Sequence, residues 1–471
     1  MSEPAHWSLA EAAEAIAARR ISSCELLDAC QARIERLQPL LNCFIGLDAE
    51  RARRMAEAAD AALARGDAVG PLHGVPLAHK DMYYRAGRVS TCGSRIRRDF
   101  VPDHTATVLE RLDAAGALDL GGLNMAEFAV GPTGHNIHWG HCRNPWNPDH
   151  VTGGSSSGSG SAVAGRLVFG ALGSDTGGSV RLPASMCGLV GIKPTQARVS
   201  RYGIMGLSFS LDNVGPLTRT VRDGARLLRV IAGHDPRDPT SSRLPVPDYE
   251  AGLELGVKGV RIGVPTNYYY DDAADEVRAL MRASLDRLAS LGAEIVELAM
   301  PDHDQLSNLA GVVLTAEAAT LHGAWLRERP QDINPQMRAR IEPGLAVPAT
   351  HYLRALHVRD QVLARFIDQV FKRCDVLHAP SLKVPVPTIT ETDVGDGPQM
   401  GRTIGSLTHC TRTINYLGLP SVSVPAGFTA NGMPSGFQLI GRPFAEAQIL
   451  RVAAAYEAAA DWVTRAPSLA A

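Results

Sequence analysis

Two clusters of glycine and serine within residues 151–195 are the part of the sequence best suited to chemistry. The first reads GGSSSGSGS at 153–161 and the second GSDTGGS at 173–179, and the residues between them are largely apolar. A flexible linker would not carry an apolar segment that must be buried. Glycine turns joined to buried segments let main-chain N–H groups converge on one point, which binds anions or stabilises an oxyanion. The stretch therefore predicts a binding or catalytic site.

Two familiar motifs account poorly for these clusters. A phosphate-binding loop of the form GxxxxGK[ST] is absent, and neither cluster contains a lysine. Residues 154–158 satisfy the GxSxG pattern of a nucleophile elbow, but that motif requires a buried strand immediately before it. The preceding segment contains Pro145 and Pro148, which a central strand does not tolerate. Both interpretations are therefore rejected.

Ser179, at the end of the second cluster, is the best candidate for a nucleophile. Apolar residues 167–172 precede it and predict a strand that holds the turn. A serine hydroxyl is a weak nucleophile until a base removes its proton. Lys80 follows a short apolar run at 74–78, where burial would lower the pKa of its amine and provide a neutral base. From the residues alone, an ordinary surface lysine remains the alternative.

Several segments together resemble the amidase signature family. They are HKD at 79–81, RNPW at 143–146, GGSSSGS at 153–159, GSDTGGSVRLPA at 173–184, CGLVGIKPT at 187–195, RVSRYG at 198–203, LDNVGPLTRTVRD at 211–223 and LGLPSVSVPAGF at 417–428. The resemblance extends from residue 65 to residue 460. It implies an α/β fold with a large mixed central β-sheet flanked by helices on both faces, and it implies hydrolysis of a carboxylic amide.

The same resemblance implies a Ser–Ser–Lys triad that works without a metal or a cofactor. Ser179 would attack the carbonyl carbon, Ser155 would bridge in a cis-peptide conformation, and Lys80 would be the base. A serine between nucleophile and base accepts one proton while it donates another, so the lysine need not touch the nucleophile. The oxyanion hole implied by the resemblance consists of main-chain N–H groups, those of Thr176, Gly177, Gly178 and Ser179.

The expected substrate is a neutral small-molecule amide with an apolar or aromatic acyl group, cleaved by a stand-alone enzyme through an acyl-enzyme on Ser179. Position 182 is leucine where malonamate-hydrolysing relatives carry an arginine, which favours an apolar site. We predict that the following residues contact the acyl group: Met82, Tyr83, Tyr84, Phe128, Trp139 and Leu182. Ordinary core packing is the alternative explanation for each of them.

Two other functions are weighed against this hypothesis. The first alternative is the glutaminase subunit of an aminoacyl-tRNA amidotransferase, which holds glutamine with an arginine and an aspartate. Arg359 matches the arginine, but the aspartate position falls near Thr408 and no aspartate is there. An unpaired ammonium would bind poorly. The second is a non-catalytic binding protein on this scaffold, which the intact Lys80, Ser155 and Ser179 argue against.

A histidine-rich segment at 134–142, GHNIHWGHC, raises the possibility of a zinc site. His135, His138, His141 and Cys142 have the residue types of a ligand set. The two glycines of the segment make a regular helix improbable, so the three-residue spacing does not place the side chains on one face. We therefore favour loop histidines and predict no metal.

Composition limits the partners. The chain has 47 basic and 49 acidic residues, a net charge of −2, and no block of like charge, so neither a nucleic acid nor a membrane is the expected partner. Residues 1–7 have no basic leader region, and no apolar run has the length of a membrane span. Eight cysteines without CxxC pairs indicate reduced thiols and a cytoplasmic location. The resemblance adds a possible homodimer.

We expect a single amidase domain over residues 1–471. It would comprise a helical N-terminal layer at 1–65, the signature core with the triad at 66–230, and the remainder of the sheet with its covering helices at 231–471. Ser8, Ser22 and Asp48 are predicted N-caps of three helices in the first layer. A β-α-β unit is predicted from residue 257 to 298, and Asn431-Gly432 predicts a hairpin turn.

Overall fold

One mixed sheet of eleven strands forms the centre of the computed structural model, which describes residues 3–470. The strands are β1 (Phe44–Leu47), β2 (Pro76–Lys80), β3 (Leu118–Leu123), β4 (Gly170–Asp175), β5 (Val190–Lys193), β6 (Asn213–Thr218), β7 (Arg261–Pro265), β8 (Glu294–Leu298), β9 (Val376–Pro380), β10 (Ser421–Phe428) and β11 (Pro434–Ile440). Their spatial order is β1-β3-β2-β4-β6-β5-β10-β11-β9-β7-β8.

Sixteen α-helices surround the sheet in the described residues. They are α1 (Leu9–Ala17), α2 (Ser23–Leu41), α3 (Ala49–Arg65), α4 (Thr107–Ala114), α5 (Ser157–Ala164), α6 (Arg181–Cys187), α7 (Val221–Ile231), α8 (Asp275–Ser290), α9 (His303–Glu328), α10 (Pro335–Ile341), α11 (Ala349–His357), α12 (Arg359–Phe366), α13 (Ile389–Thr392), α14 (Gln399–Thr408), α15 (Arg412–Leu417) and α16 (Glu446–Ala459). A π-helical turn, Ile367–Phe371, follows α12.

The sheet is parallel near its two ends and antiparallel in the middle. Strand β2 pairs in parallel with β3 and β4, and β7 pairs in parallel with β8 and β9. The central strands from β4 through β6, β5, β10 and β11 to β9 pair antiparallel. The predicted mixed α/β fold is therefore confirmed.

Helices cover both faces of the central strands. A Cβ atom added at Gly191 of β5 would lie 2.5 Å from the Ala184 side chain of α6. The next residue along β5, Ile192, extends to the opposite face. There its Cδ1 atom would lie 2.7 Å from a Cβ added at Gly224 of α7. Every residue of β4, β5 and β6 is buried, as expected for strands packed on both faces.

The N-terminal layer begins its helices where the sequence predicts. The Ser8 hydroxyl accepts from the Glu11 N–H at 3.1 Å, and the Ser22 hydroxyl accepts from the Glu25 N–H at 3.0 Å, so both form capping boxes. Asp48 caps α3 through its side chain. The layer also contains a strand that the helical pattern hid, β1, which pairs antiparallel with β3.

The C-terminal half contains the predicted β-α-β unit and hairpin. Strands β7 and β8 are parallel neighbours joined by α8, and β10 and β11 form an antiparallel hairpin that turns at 429–433. Two boundaries differ from the prediction. Strand β4 runs from Gly170 to Asp175, later than the predicted 167–172, because its antiparallel pairing with β6 continues as far as Asp175. The prolines and glycines of residues 379–402 predict a loop, but helices α13 and α14 begin within it.

One helix of the described residues is long and apolar enough to cross a membrane by composition alone. Helix α9 has a mean hydropathy of 1.3 over its most apolar window. Its side chains Val313, Glu317 and His322 are buried against the rest of the protein, and the Glu317 carboxylate accepts hydrogen bonds from Ser210 and Tyr352. The core helix of a folded domain has the same composition, so this feature is weak evidence for a membrane span.

The close packing of β5 against β6 gives a test of the fold. A Cβ atom at Gly215 of β6 would lie 1.9 Å from the Ile192 carbonyl oxygen, whereas a Cβ at Gly46 of β1 meets nothing within 4 Å. We expect Gly215→Ala to lower the free energy of unfolding by roughly 1 to 3 kcal/mol through overpacking. Gly46→Ala is the matched control and should leave the melting temperature almost unchanged. Equal melting temperatures for both variants would contradict this packing.

Candidate active site

The parallel pairing of β2 and β4 brings the candidate catalytic segments to one edge of the sheet. Lys80 is the last residue of β2, and Asp175 is the last residue of β4. Parallel neighbours end on the same side, so the turns that follow them meet there. Ser155 lies in the loop before α5, and Ser179 lies in the turn between β4 and α6.

Lys80 makes two hydrogen bonds in the buried centre of this edge. Its Nζ atom lies 2.6 Å from the Ser155 Oγ atom and 2.8 Å from the Ser174 Oγ atom, and the lysine is 1% exposed. The Gly154–Ser155 peptide bond is cis, as the resemblance implies. Ser174 was missed by the sequence reasoning, and its place in the second glycine cluster was the only available signal.

Burial makes Lys80 suitable as a base. It lowers the pKa of the Lys80 amine to about 7, while the charges of Asp212 and Asp175 act weakly in the opposite direction. Near neutral pH, a large fraction of the amine is therefore uncharged and carries a free lone pair. A neutral Lys80 can accept a proton from Ser155, which can in turn accept the proton of a nucleophile.

The turn that carries Ser179 is held by a buried ion pair between Asp175 and Arg181. Both side chains are fully buried, and Arg181 Nη2 donates to Asp175 Oδ1 at 3.0 Å. Asp175 also accepts from the main-chain N–H groups of Gly178 and Val180 at 2.8 and 3.2 Å. Burial alone would raise the pKa of Asp175, but the charge and hydrogen bonds of Arg181 hold it below its usual range. Asp175 is therefore an ionised anchor for the whole turn.

The predicted oxyanion hole differs at one residue. The Gly178 N–H donates to Asp175, so it points into the turn and away from a substrate. The N–H groups of Thr176, Gly177 and Ser179 donate to no protein acceptor within residues 3–470. These three can stabilise an oxyanion. Gly178 instead has a structural role. Its φ of +132° is one that other residues rarely adopt, and a Cβ there would lie 2.3 Å from Thr411 Oγ1, so the turn requires a glycine at this position.

A cavity of about 220 Å³ lies directly beside this turn. Most of its wall is apolar, and among its lining residues only Arg340 and Arg412 are charged. The lining residues are Ala129, Val130, Gly131, Pro132, Thr176, Gly177, Ser179, Leu207, Leu211, Ala310, Gly311, Leu314, Thr315, Arg340, Ile341, Thr408 and Arg412. The three free N–H groups and Ser179 therefore share a cavity with two cations.

The residues predicted to contact an acyl group lie outside the wall of this cavity, and their contact with a substrate stays a prediction. Met82 and Tyr83 belong to the core, where the Tyr83 hydroxyl donates to the Gly173 carbonyl of β4 at 2.6 Å. Phe128 stacks on Trp325 with ring centroids 4.8 Å apart. Leu182 is fully buried.

Tyr84 and Trp139, the other two residues predicted to contact the acyl group, also make contacts elsewhere in the protein. The Tyr84 hydroxyl accepts from Arg97 at 3.0 Å, and the Trp139 carbonyl accepts from Asn42 at 2.8 Å. None of the six lines the cavity at Ser179. Nearness in sequence to the motifs does not reveal these environments.

Arg359 and Thr408, the two positions compared with a glutamine site, have different environments. The Arg359 guanidinium donates to the main-chain carbonyls of Ser210, Asn415 and Tyr416, and it does not line the cavity. Thr408 does line it, but a threonine hydroxyl carries no charge. Arg340 and Arg412 were missed, because no motif marks them and only tertiary packing brings them to Ser179.

The histidines of the 134–142 segment have separate partners. His138 Nε2 lies 2.9 Å from a Glu127 carboxylate oxygen, and His135 Nε2 lies 2.8 Å from the Thr392 hydroxyl. The His141 Nδ1 atom accepts from the Asn136 N–H at 3.1 Å. Within residues 3–470, no group of three or more histidine, cysteine or acidic side chains is arranged to hold a metal ion. The segment therefore acts through its own hydrogen bonds.

The lowered pKa of Lys80 predicts the pH dependence of amide hydrolysis. Below pH 7, Lys80 is protonated and cannot accept a proton, so kcat/KM should rise with pH through a pKa of about 7. We expect a loss of about tenfold per pH unit on the acid side. Circular dichroism at each pH controls for unfolding. A profile that stays flat from about pH 5.5 to about pH 8.5 would contradict the assignment.

Removal of Arg181 should be far more damaging than removal of an exposed arginine. Arg181→Met leaves Asp175 buried and unpaired, which should lower the free energy of unfolding by roughly 3 to 5 kcal/mol. The control is Arg229→Met, because Arg229 pairs with Asp248 at the surface with 53% and 44% of the side chains exposed. Calorimetric melting temperatures compare the two variants. A melting temperature of Arg181→Met equal to that of the control would argue against the anchor.

Curated relatives match the chain along nearly all of its length. The A subunit of glutamyl-tRNA(Gln) amidotransferase from Anaeromyxobacter sp. (strain K) is 42% identical over 485 aligned residues, which cover 97% of this chain and 98% of the relative. The structure of the same subunit from Thermotoga maritima superposes with a TM-score of 0.80 at 31% identity, covering 97% of this chain and 95% of that one.

A second solved structure is also similar. It belongs to a vestigial protein complex that reveals the evolutionary origins of an s-triazine catabolic enzyme. The TM-score is 0.90 at 35% identity, and the match covers 96% of this chain and 98% of the other.

These similarities correct the functional hypothesis. The expectation of a stand-alone enzyme for a neutral small-molecule amide is wrong, because relatives at about 40% identity over almost the full chain are named as one component of a tRNA amidotransferase. The expectation that the partners include no nucleic acid is wrong for the same reason. The similarity instead favours the first alternative, the glutaminase subunit of an aminoacyl-tRNA amidotransferase, which was assessed at Arg359 and Thr408.

The family assignment rests on a match to most of the chain. The family model described as Amidase matches residues 25–450, which include both glycine and serine clusters and Lys80. The enzyme class that follows is a hydrolase acting on carbon–nitrogen bonds. With the fold, the relatives and this match in agreement, the chain belongs to the amidase signature family.

Proposed function

We propose that the chain is the amide-hydrolysing subunit of an amidotransferase, which releases ammonia from glutamine for transfer by partner subunits to a tRNA-linked acid. The observation that carries the proposal is the 42% identity, across 97% of the chain, to one subunit of a glutamyl-tRNA(Gln) amidotransferase. Two observations support the hydrolytic step: Lys80 contacts Ser155 at 2.6 Å, and Ser179 lines a cavity.

The proposed reaction moves protons along the triad. As Ser179 Oγ attacks the amide carbon, its proton passes to Ser155, whose own proton passes to the neutral Lys80 amine. The carbonyl oxygen becomes an oxyanion held by the N–H groups of Thr176, Gly177 and Ser179. The carbon–nitrogen bond then breaks, and the relay returns a proton to the nitrogen, which leaves as ammonia.

Water completes the cycle. It attacks the ester carbon of the acyl-enzyme and gives up a proton through the same relay. The ester bond breaks, Ser179 recovers its hydroxyl proton, and the acid leaves. The reaction consumes one amide and one water and yields one acid and one ammonia, so no external oxidant or reductant is needed.

Ammonia release from glutamine tests the proposal. We expect the chain, alone or with the subunits that co-purify with it, to release ammonia, and Ser179→Ala to lower the rate by about a thousandfold or more. Ser290→Ala is the matched control, because Ser290 is exposed and bonds only to the Arg287 carbonyl of its own helix. Release that persists in Ser179→Ala, or glutamine left intact by both the chain and its assembly, would refute the proposal.

A further inference from the structure

Two arginines from separate elements face the cavity that holds Ser179. Arg340 is near the end of α10, and Arg412 is the first residue of α15. No aspartate or glutamate is among the lining residues. An arginine is charged at every accessible pH, so the cavity carries two positive charges.

The guanidinium of Arg340 is unpaired in the part of the chain that the structure describes. Its guanidinium makes no hydrogen bond or ion pair within residues 3–470, and its Nη1 atom is shielded from solvent without an acceptor. Burial, followed by the charge of Arg412, lowers the pKa of Arg340 to about 10. Arg340 is half-buried, and its enclosed Nη1 atom has no acceptor, which is costly, so its place in the cavity wall with Ser179 indicates that a ligand supplies the acceptor.

Arg412 is positioned by neutral groups. Its Nη2 atom donates to the Gly405 carbonyl at 2.8 Å and to the Thr408 hydroxyl at 2.9 Å. These contacts fix the guanidinium against α14 but leave its charge without an anionic counterpart. Arg412 is therefore held in place by hydrogen bonds and Arg340 is not. In the described residues, neither arginine pairs with a carboxylate.

Two carboxylates bond to residues in or next to the cavity wall and are occupied by those bonds. Asp212 accepts from the Thr176 hydroxyl at 2.6 Å and from the Leu207 and Ser208 N–H groups at 2.8 and 3.0 Å. Glu317 accepts from the hydroxyls of Ser210 and Tyr352 at 2.6 and 2.8 Å. Neither acid lines the cavity, so neither neutralises the arginines.

We propose that Arg340 and Arg412 form a subsite for a substrate carboxylate, and that the substrate class is the monoamides of dicarboxylic acids. The inference rests on the proposed function, because it requires an amide at Ser179 in this cavity. Guanidinium forks bind carboxylates bidentately, which fixes the far end of the substrate while Ser179 attacks the amide. Glutamine is a member of this class, with its α-carboxylate at the arginines.

The same subsite predicts indifference to the amino group of glutamine. The cavity has no acidic side chain to pair with an ammonium. Glutaramate is glutamine without its amino group, so it keeps the amide, the carboxylate and the distance between them. It should be hydrolysed at least as efficiently as glutamine, because no ammonium must be desolvated without a partner.

Substrate comparison with single variants tests the subsite. Arg340→Met and Arg412→Met should each raise KM for glutaramate and glutamine at least tenfold, with a smaller change in kcat, and should leave hydrolysis of pentanamide nearly unchanged. Arg338→Met is the matched control, since Arg338 lies on the same helix but pairs with Glu342 and is absent from the cavity wall. Unchanged KM values in both cavity variants, or a preference for glutamine over glutaramate of more than about tenfold, would overturn the proposal.

Binding of glutarate separates this inference from the proposed function. Glutarate has two carboxylates and no amide, so calorimetry measures the subsite without turnover. We expect binding to wild type and a loss of at least tenfold in Arg340→Met, whose melting temperature should be no lower than that of wild type because an unpaired charge has been removed. Glutarate binding without glutamine hydrolysis would retain the subsite and reject the glutaminase. Glutamine hydrolysis without glutarate binding would do the reverse.

Discussion

The buried ion pair between Asp175 and Arg181 is the interaction on which the rest of the site depends. One carboxylate accepts from the main-chain N–H groups of Gly178, Val180 and Arg181, so the turn after β4 has a single shape. That shape directs the other N–H groups and Ser179 toward the cavity. A neutral residue at 175 could accept fewer of these bonds, and the arginine makes the charge tolerable in a fully buried position. The position of Ser179 thus depends on an electrostatic constraint between two residues that do not line the cavity.

Two basic side chains of this region, Lys80 and Arg340, lack a carboxylate partner among residues 3–470. Lys80 is buried and bonds to the neutral hydroxyls of Ser155 and Ser174, so that it loses its proton easily, whereas Arg340 keeps its charge without a counter-ion in the described residues. The first arrangement supplies a base, and the second supplies an attraction for an anion. Both cost folding free energy, which the large core of the eleven-stranded sheet can offset. The site is therefore a place where the fold gives up stability for binding and reactivity.

Sequence reasoning recovered the parts of this protein that depend on local pattern. Ser8 and Ser22 begin their helices because a capping box is a contact over three residues, and the mixed sheet follows from alternating elements and the family motifs. The two arginines of the cavity wall were not predicted, because their position depends on distant packing. Tyr83 follows a catalytic segment in sequence yet turns into the core, whereas Arg340 is 161 residues from Ser179 in the chain and lines the same cavity. Periodicity carries no information about such juxtapositions.

The turn that carries Ser179 is closed by residues between 411 and 438, which lie more than 230 positions after their partners in the sequence. Thr411 donates to the Gly177 carbonyl at 2.6 Å, and Arg181 donates to the side chains of Asn415 and Gln438 at 2.6 and 2.9 Å. During translation, these residues leave the ribosome after the entire signature segment has been made. A nascent chain therefore carries Ser179 in an unsupported turn until residues 411–438 have been made, and a chain that stops before them keeps Lys80, Ser155 and Ser179 without the contacts that close the turn.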